Sequence, residues 1–142
     1  MDSIRFEEAK KLDCNDFMQF APEIFQVTHK DSIQINRCDL NSLPAIHVIR
    51  KSFGFAKGSG RLAAQVCLDS DISIQDAVWL VIDVNVHKHI QGGFSEIIAA
   101  QEYLEAYVGD ETTVLTGFRS DCAQQEGVEI TVIMGATKMI GD

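Results

Sequence analysis

The chain has 142 residues, a formal net charge of −9 and 46% apolar residues. That length makes one domain, able to bury roughly 68–70% of the surface its unfolded chain exposes, so no disulfide or metal staple is needed. The acidic balance argues against nucleic acid or an anionic membrane surface as partner, because both call for clustered Lys and Arg.

The acidic residues are spread along the whole chain and read as a solvated face that keeps the protein soluble. Cys14, Cys38, Cys67 and Cys122 are scattered without C-x-x-C spacing, which speaks against a disulfide framework or a structural zinc site and fits reduced thiols in the cytoplasm. Met1 to Glu8 mix charges and lack the apolar centre of a signal peptide. No stretch approaches the ~20 apolar residues of a membrane span.

In chain order, residues 3–13 predict a short amphipathic helix: Ser3 as cap, Glu7 and Glu8 early, Lys10 and Lys11 late, the order the helix dipole favours. With Met1 ahead of it, this capped helix reads as the start of the protein. Cys14-Asn15-Asp16 interrupts the pattern and offers a new cap. Phe17, Phe20, Ala21, Ile24 and Phe25 then form a wide apolar stripe at helical spacing. Pro22 lies inside it, so the segment is either kinked or is two short turns meeting at Pro22 as a first helical residue. Covering a sheet is the preferred role for this stripe, ahead of a partner-binding face. Residues 29–42 read as a loop. A helix is expected from Leu43, capped by Ser42 with Pro44 in its first turn, to near Ser52. Phe53 to Ala56 reads as a short strand and Leu62 to Leu68 as a helix.

Ala77 to Val86 organises the rest. It opens with six apolar residues in a row, the mark of a strand covered on both faces. From Ile82 it alternates with Asp83 and Asn85, which predicts one wet face at that end. His87 to Gly93 is a loop, after which Phe94, Ile97, Ile98, Gln101, Leu104 and Val108 mark one helix face that Gly109 stops. Thr112 to Phe118 and Val128 to Ala136 are strands to pair beside the central one, joined by a polar hairpin loop from Arg119 to Gly127. These elements describe an α/β (α+β) two-layer sandwich, a mixed sheet of about four strands with helices packed on it.

Candidate sites are few. Lys57, Gly58, Gly60 and Arg61, between a strand and a helix, form a candidate anion-binding turn, although a plain glycine turn explains the same residues. His87 and His89 would share one side of a continued strand, but spacing offers no third ligand, so no metal is assigned. Asp83 follows a buried run and reads as a solvated strand-end carboxylate. Gly-x-Ser-x-Gly, His-Glu-x-x-His and Gly-x-Gly-x-x-Gly are all missing from the sequence, so it gives little reason to expect an enzyme and none to expect a cofactor.

Val114-Leu115-Thr116-Gly117 and Glu129-Ile130-Thr131-Val132-Ile133-Met134-Gly135-Ala136 resemble the last strands of the C-terminal domain of the FtsZ/tubulin-like cell-division family, an apolar-Gly strand and a Val-Thr-Val-Ile-Ala-Thr-Gly strand around an acidic loop. The likeness continues backwards. Ala77 to Val86 resembles that domain's Gly-Val-Leu-Val-Asn-Ile-Thr strand. Gly92-Gly93 with Phe94 to Ile97 is similar to its Gly-Gly and Leu-x-Glu-Val, and Arg61 with Ala63-Ala64 to its Arg-Ala-x-x-Ala helix start. Phe53-Gly54-Phe55 stands where the family has a short Gly-containing strand. The set covers residues 33–137. Asp16 to Thr28 resembles the end of the family's long central helix, with Pro22 as a departure, so residues 1–32 are expected as a helical segment and 33–142 as the FtsZ C-terminal-like domain.

In the family, an Asn-x-Asp-x-x-Asp loop follows that helix and completes GTP hydrolysis on the neighbouring filament subunit. Matched from Asn36, its acids become Cys38 and Asn41; matched from Asp39, which keeps Leu40 and Leu43 in phase, the second acid becomes Ser42. Neither register holds two carboxylates, and a serine hydroxyl is no general base at neutral pH. The family's Gly-Gly-Gly-Thr-Gly-Thr-Gly nucleotide loop is not in this sequence. The resemblance therefore implies an interaction protein without a GTP site of its own, binding or capping an FtsZ-type subunit through Asn36, Arg37, Asp39 and Ser42. Without a GTPase half over them, Phe17, Phe20, Ile24 and Phe25 are expected to stay partly exposed and to favour a homodimer. The alternative is a small oligomeric ligand-binding protein or enzyme of similar sandwich fold, taking an anionic small molecule at Lys57 to Arg61 and the His87 to His89 loop.

Overall fold

Ala77–Val86 is a strand (β3) with a neighbour on each side: β4 (Thr113–Arg119), parallel, and β5 (Gly127–Ala136), antiparallel. In the computed structural model, which describes residues 3–25, 35, 37–68, 74–87, 93–120 and 122–137, these three strands join β1 (Ser3–Lys10) and β2 (Ile46–Lys57) in one mixed sheet of order β1-β2-β5-β3-β4. Both apolar runs pair beside β3 as the sequence predicts, and β5 is the middle strand. Because β3 lies between β4 and β5, residues between Arg119 and Gly127 do not form the expected hairpin; the connection passes over β3.

Two expected helices are strands. Residues 3–13 carry β1 (Ser3–Lys10), and the segment from Leu43 to Ser52 lies mostly in β2 (Ile46–Lys57). The ladder of β2 with β5 runs from Val48 opposite Ala136 to Lys57 opposite Gly127. Ile46, Val48 and Ile49 are β-branched and fit a pleated surface, and a ladder of that length overrides the helix start that Ser42 and Pro44 suggest. β1 then pairs on the open side of β2, Ile4 opposite Ile49. Its charges, which look helical in sequence, suit an exposed sheet edge.

Side-chain alternation splits the core in two. Leu80, Ile82, Val84 and Val86 of β3, with Val128, Ile130, Val132 and Met134 of β5, pack beneath α3 (Gly60–Leu68) and α4 (Gly93–Glu105). Gly54 lets α3 approach: a Cβ there would strike the Ala63 carbonyl. Trp79, Val81, Ile133, Ile46 and Ile49 instead meet α1 (Cys14–Phe20), a 3-10 turn (Pro22–Phe25) and α2 (Arg37–Asn41). Asp13 caps α1 in a reciprocal box with Asp16. Pro22 opens the 3-10 turn, the second of the two expected geometries. Phe17 and Ile24 are fully buried, not exposed, and the Phe17 ring tilts 5.5 Å from Trp79. Phe20 and Phe25 are partly buried on the same cluster. The stripe covers the sheet.

Candidate functional site

Leu40 and Leu43 are buried beside Ile35 and hold α2 against the sheet. The Asn41 side-chain oxygen accepts from the Cys14 amide at 2.8 Å, tying α2 to the start of α1. This anchoring leaves Asp39 and Ser42 exposed. The Ser42 hydroxyl donates to the Cys38 carbonyl at 2.9 Å, closing the end of the helix. Arg37 opens α2, and Asn36 lies outside the described residues. Of the loop-like set, the structure thus brings Asp39 and Ser42 to one surface turn. The Asp39 carboxylate is thus open to solvent, while the Ser42 hydroxyl is engaged by the backbone of its own helix.

The turn from Lys57 to Arg61 binds an anion of its own chain. The Gly60 amide donates to Glu96 of α4 at 2.9 Å, and the Leu62 amide to the Ser59 hydroxyl at 3.2 Å. Gly58 has φ +73°, a left-handed conformation that suits glycine, and its amide donates to the Glu126 carbonyl at 2.7 Å. Lys57 is exposed, and the Arg61 guanidinium stands 5.7 Å from the centre of the Tyr103 ring. The amides at the start of α3 therefore serve as a cap for the contact between α3 and α4. The His87 amide donates to the Gly127 carbonyl at 3.0 Å, whereas His89 lies outside the described residues. Among the described residues no three His, Cys, Asp or Glu side chains group to hold a metal.

A buried polar cluster was not expected. Asp83 and Arg119 are 2% and 7% exposed, and the guanidinium meets the carboxylate at 2.8 Å through Nη2 and at 3.2 and 3.3 Å through Nε. Asn85, 6% exposed, donates to Glu129 at 3.4 Å, and the Cys122 thiol lies 3.3 Å from the other oxygen of that carboxylate. Burial, with a further push from the Glu129 charge, raises the Cys122 thiol above its ordinary range. The wet face predicted for this end of β3 is thus a polar face buried within the protein. Asp83 stands opposite Gly117, whose missing side chain leaves room, and Arg119 stands opposite Asn85. The signal was faint: Asp83 and Asn85 are visible in sequence, but their partners lie on strands 36 and 44 residues away. A carboxylate gripped by a guanidinium at three contacts is a structural tie, not an available base.

Sheet order and helix placement define the class as α+β, a mixed five-stranded sheet with the fold of the FtsZ C-terminal domain. Among solved structures, an empty FtsZ dimer from M. jannaschii matches with TM-score 0.66 and 16% identity, over 75% of this chain and 33% of that one. A tryptophan-to-tyrosine variant of FtsZ from the same organism matches with TM-score 0.66 and 15% identity, over 87% of this chain and 39% of that one. No protein-family model matches the sequence, and no curated protein matches it. At these identities the likeness is one of fold, and the chain spans little more than a third of the FtsZ chains it matches. Among the described residues no helix is long and apolar enough to cross a membrane.

Proposed function

We propose that this chain is an interaction module that binds an FtsZ-type filament subunit and caps or regulates its polymer. The observation that carries this reading is the fold match, which falls on one portion of FtsZ structures while these 142 residues hold no glycine-rich nucleotide loop. The α2 turn supports it: Leu40 and Leu43 anchor the turn and Asp39 and Ser42 face outward, in the stretch that resembles the filament loop. Bound to a growing end through this surface, the domain occludes the face on which the next subunit would dock.

The test is sedimentation of GTP-assembled FtsZ with substoichiometric amounts of this protein. Polymer mass falls, or the protein travels with the pellet, and Arg37→Ala with Asp39→Ala abolishes either effect while the melting temperature holds. Unchanged polymer with the protein left in the supernatant sinks the proposal. The ligand-binding alternative is weaker, because Glu96 and Ser59 already occupy two amides of the candidate turn. A thermal-shift screen with phosphates, nucleotides and divalent metals addresses it, since a ligand specific to the folded chain raises its melting temperature.

A further inference from the structure

The two edges of the sheet are built differently. β1 carries Arg5, Glu7, Glu8 and Lys10 within eight residues, and its register against β2 breaks between Arg5 and Lys10. Charges and irregular register are the devices that keep an edge from pairing with foreign strands. β4 has neither: Thr113-Val114-Leu115-Thr116-Gly117-Phe118 is uncharged, and its one ion, Arg119, is drawn inward onto Asp83. Its register with β3 is unbroken from Thr113 to Arg119, and among the described residues no strand pairs with its outer side.

The ground beside this edge is also prepared. Val114, Thr116 and Phe118 stand opposite Leu80, Ile82 and Val84, on the face that carries α4. Phe94 and Ile98, one helical turn apart on α4, remain 62% and 39% exposed, and the Phe94 ring meets Phe118 edge-on at 5.9 Å. At the opposite end, where α4 turns into β4, Glu105, Asp110 and Glu111 are all exposed. Between the two ends, the Thr116 hydroxyl oxygen is buried and has no hydrogen-bond partner.

We propose that the outer edge of β4 accepts an extended segment of another protein as a sixth strand. Its backbone would complete the open ladder, with apolar side chains beside Phe94, Ile98 and Phe118, a hydroxyl beside Thr116, and basic residues beside Glu105, Asp110 and Glu111. Charge selects this occupant over a second copy: a chain of net charge −9 would bring acid against acid, whereas a basic-ended strand complements the flank. The surface lies across the sheet from the α2 turn, so it stands or falls independently of filament binding.

The test uses fluorescein-labelled Lys-Lys-Val-Thr-Thr-Thr-Val, whose alternate residues set Val, Thr and Val on one face, and its reversed sequence, since either strand direction is open, with Glu-Glu versions as controls. Fluorescence anisotropy should show saturable binding of one Lys peptide that weakens with salt, and hydrogen exchange should slow at residues 113–119. Glu105→Lys should weaken that peptide about tenfold and strengthen its Glu-ended counterpart; Phe94→Ser should weaken both. Phe94 and Glu105 are exposed, so these variants keep the fold, which the melting temperature checks. No binding by either Lys peptide, equal binding by a Glu version, or protection away from β4 overturns the proposal. Concentration-dependent dimerisation that protects the same strand overturns it in favour of a second copy.

Discussion

The sheet's two faces are closed by different means. Beneath α3 and α4 the face is mostly apolar and, among the described residues, carries no charge pair; it includes hydroxyls at Ser52, which donates to the Cys67 carbonyl, and at Thr116. Gly54 and Gly60 allow backbone-to-backbone approach there. The opposite face is divided. Trp79, Val81 and Ile133 are covered by α1, the 3-10 turn and α2, whereas Asp83, Asn85 and Thr131, farther along the same strands, and Arg119 of neighbouring β4 are buried as polar side chains. One face is held by shape and the transfer of apolar surface; half of the other depends on every buried charge keeping its partner.

The sharpest way to break this contrast is Arg119→Met. It leaves the Asp83 carboxylate buried without its cation and should cost about 3–5 kcal/mol in urea unfolding. Asp83→Leu combined with Arg119→Met should recover most of that, because removing both ions also removes the desolvation cost. A single-mutant loss below about 1 kcal/mol would mean that the polar half behaves like surface.

On the helical face the corresponding probe is Gly54→Ala. The new methyl group meets the Ala63 carbonyl and the Cys67 amide, backbone atoms of α3 that cannot swing aside. A loss of about 1–3 kcal/mol is expected. The same change at Gly109, where an added Cβ has nothing within 4 Å, should move stability by no more than about 0.5 kcal/mol. Equal effects at the two sites would show that close approach is not what glycine supplies at position 54.

An effect that appears only at alkaline pH distinguishes the two buried thiol environments. Burial pushes Cys67 up from 9.0 to about 12, whereas Cys122 is raised by burial and by the neighbouring Glu129 charge. The folded chain therefore holds the Cys67 proton more tightly than the unfolded chain does. Its contribution is fully present below the unfolded pKa of 9.0 and is lost as pH rises toward about 12, by up to about 1.4 kcal/mol per unit. Urea midpoints measured on either side of the unfolded pKa, for the parent and for Cys67→Ala, should show a shallower alkaline decline in the variant. Parallel declines would place the sensitivity elsewhere.

Legibility in the sequence followed the range of the interactions. The apolar run of β3 and the small residues of α3 state their burial locally, and the stripe of α4 does so in part, with Ile97 and Leu104 buried but Phe94 and Ile98 exposed; all three elements stand where the sequence placed them. β1 and β2 did not, because a capped charge pattern and a Ser-Leu-Pro start imitate helices, and only the ladders to β2 and β5 choose the extended form. The candidate anion turn was visible as glycines and cations, but not that Glu96, 36 residues on, would fill it. The residues of the α2 turn were singled out through their likeness to a known loop and read as loop; that they form a helix anchored by Leu40 and Leu43 appears only once the sheet is assembled.

By itself, then, the sequence determined an α+β fold, β3 as an interior strand and the order of the C-terminal elements, since periodicity and glycine placement are written residue by residue. Tertiary structure decided the rest: that the first segment is an edge strand, that β3 separates β4 from β5, and that Asp83 meets Arg119. Those outcomes depend on pairings between residues far apart in the chain, whose free energy appears only when the whole sheet forms.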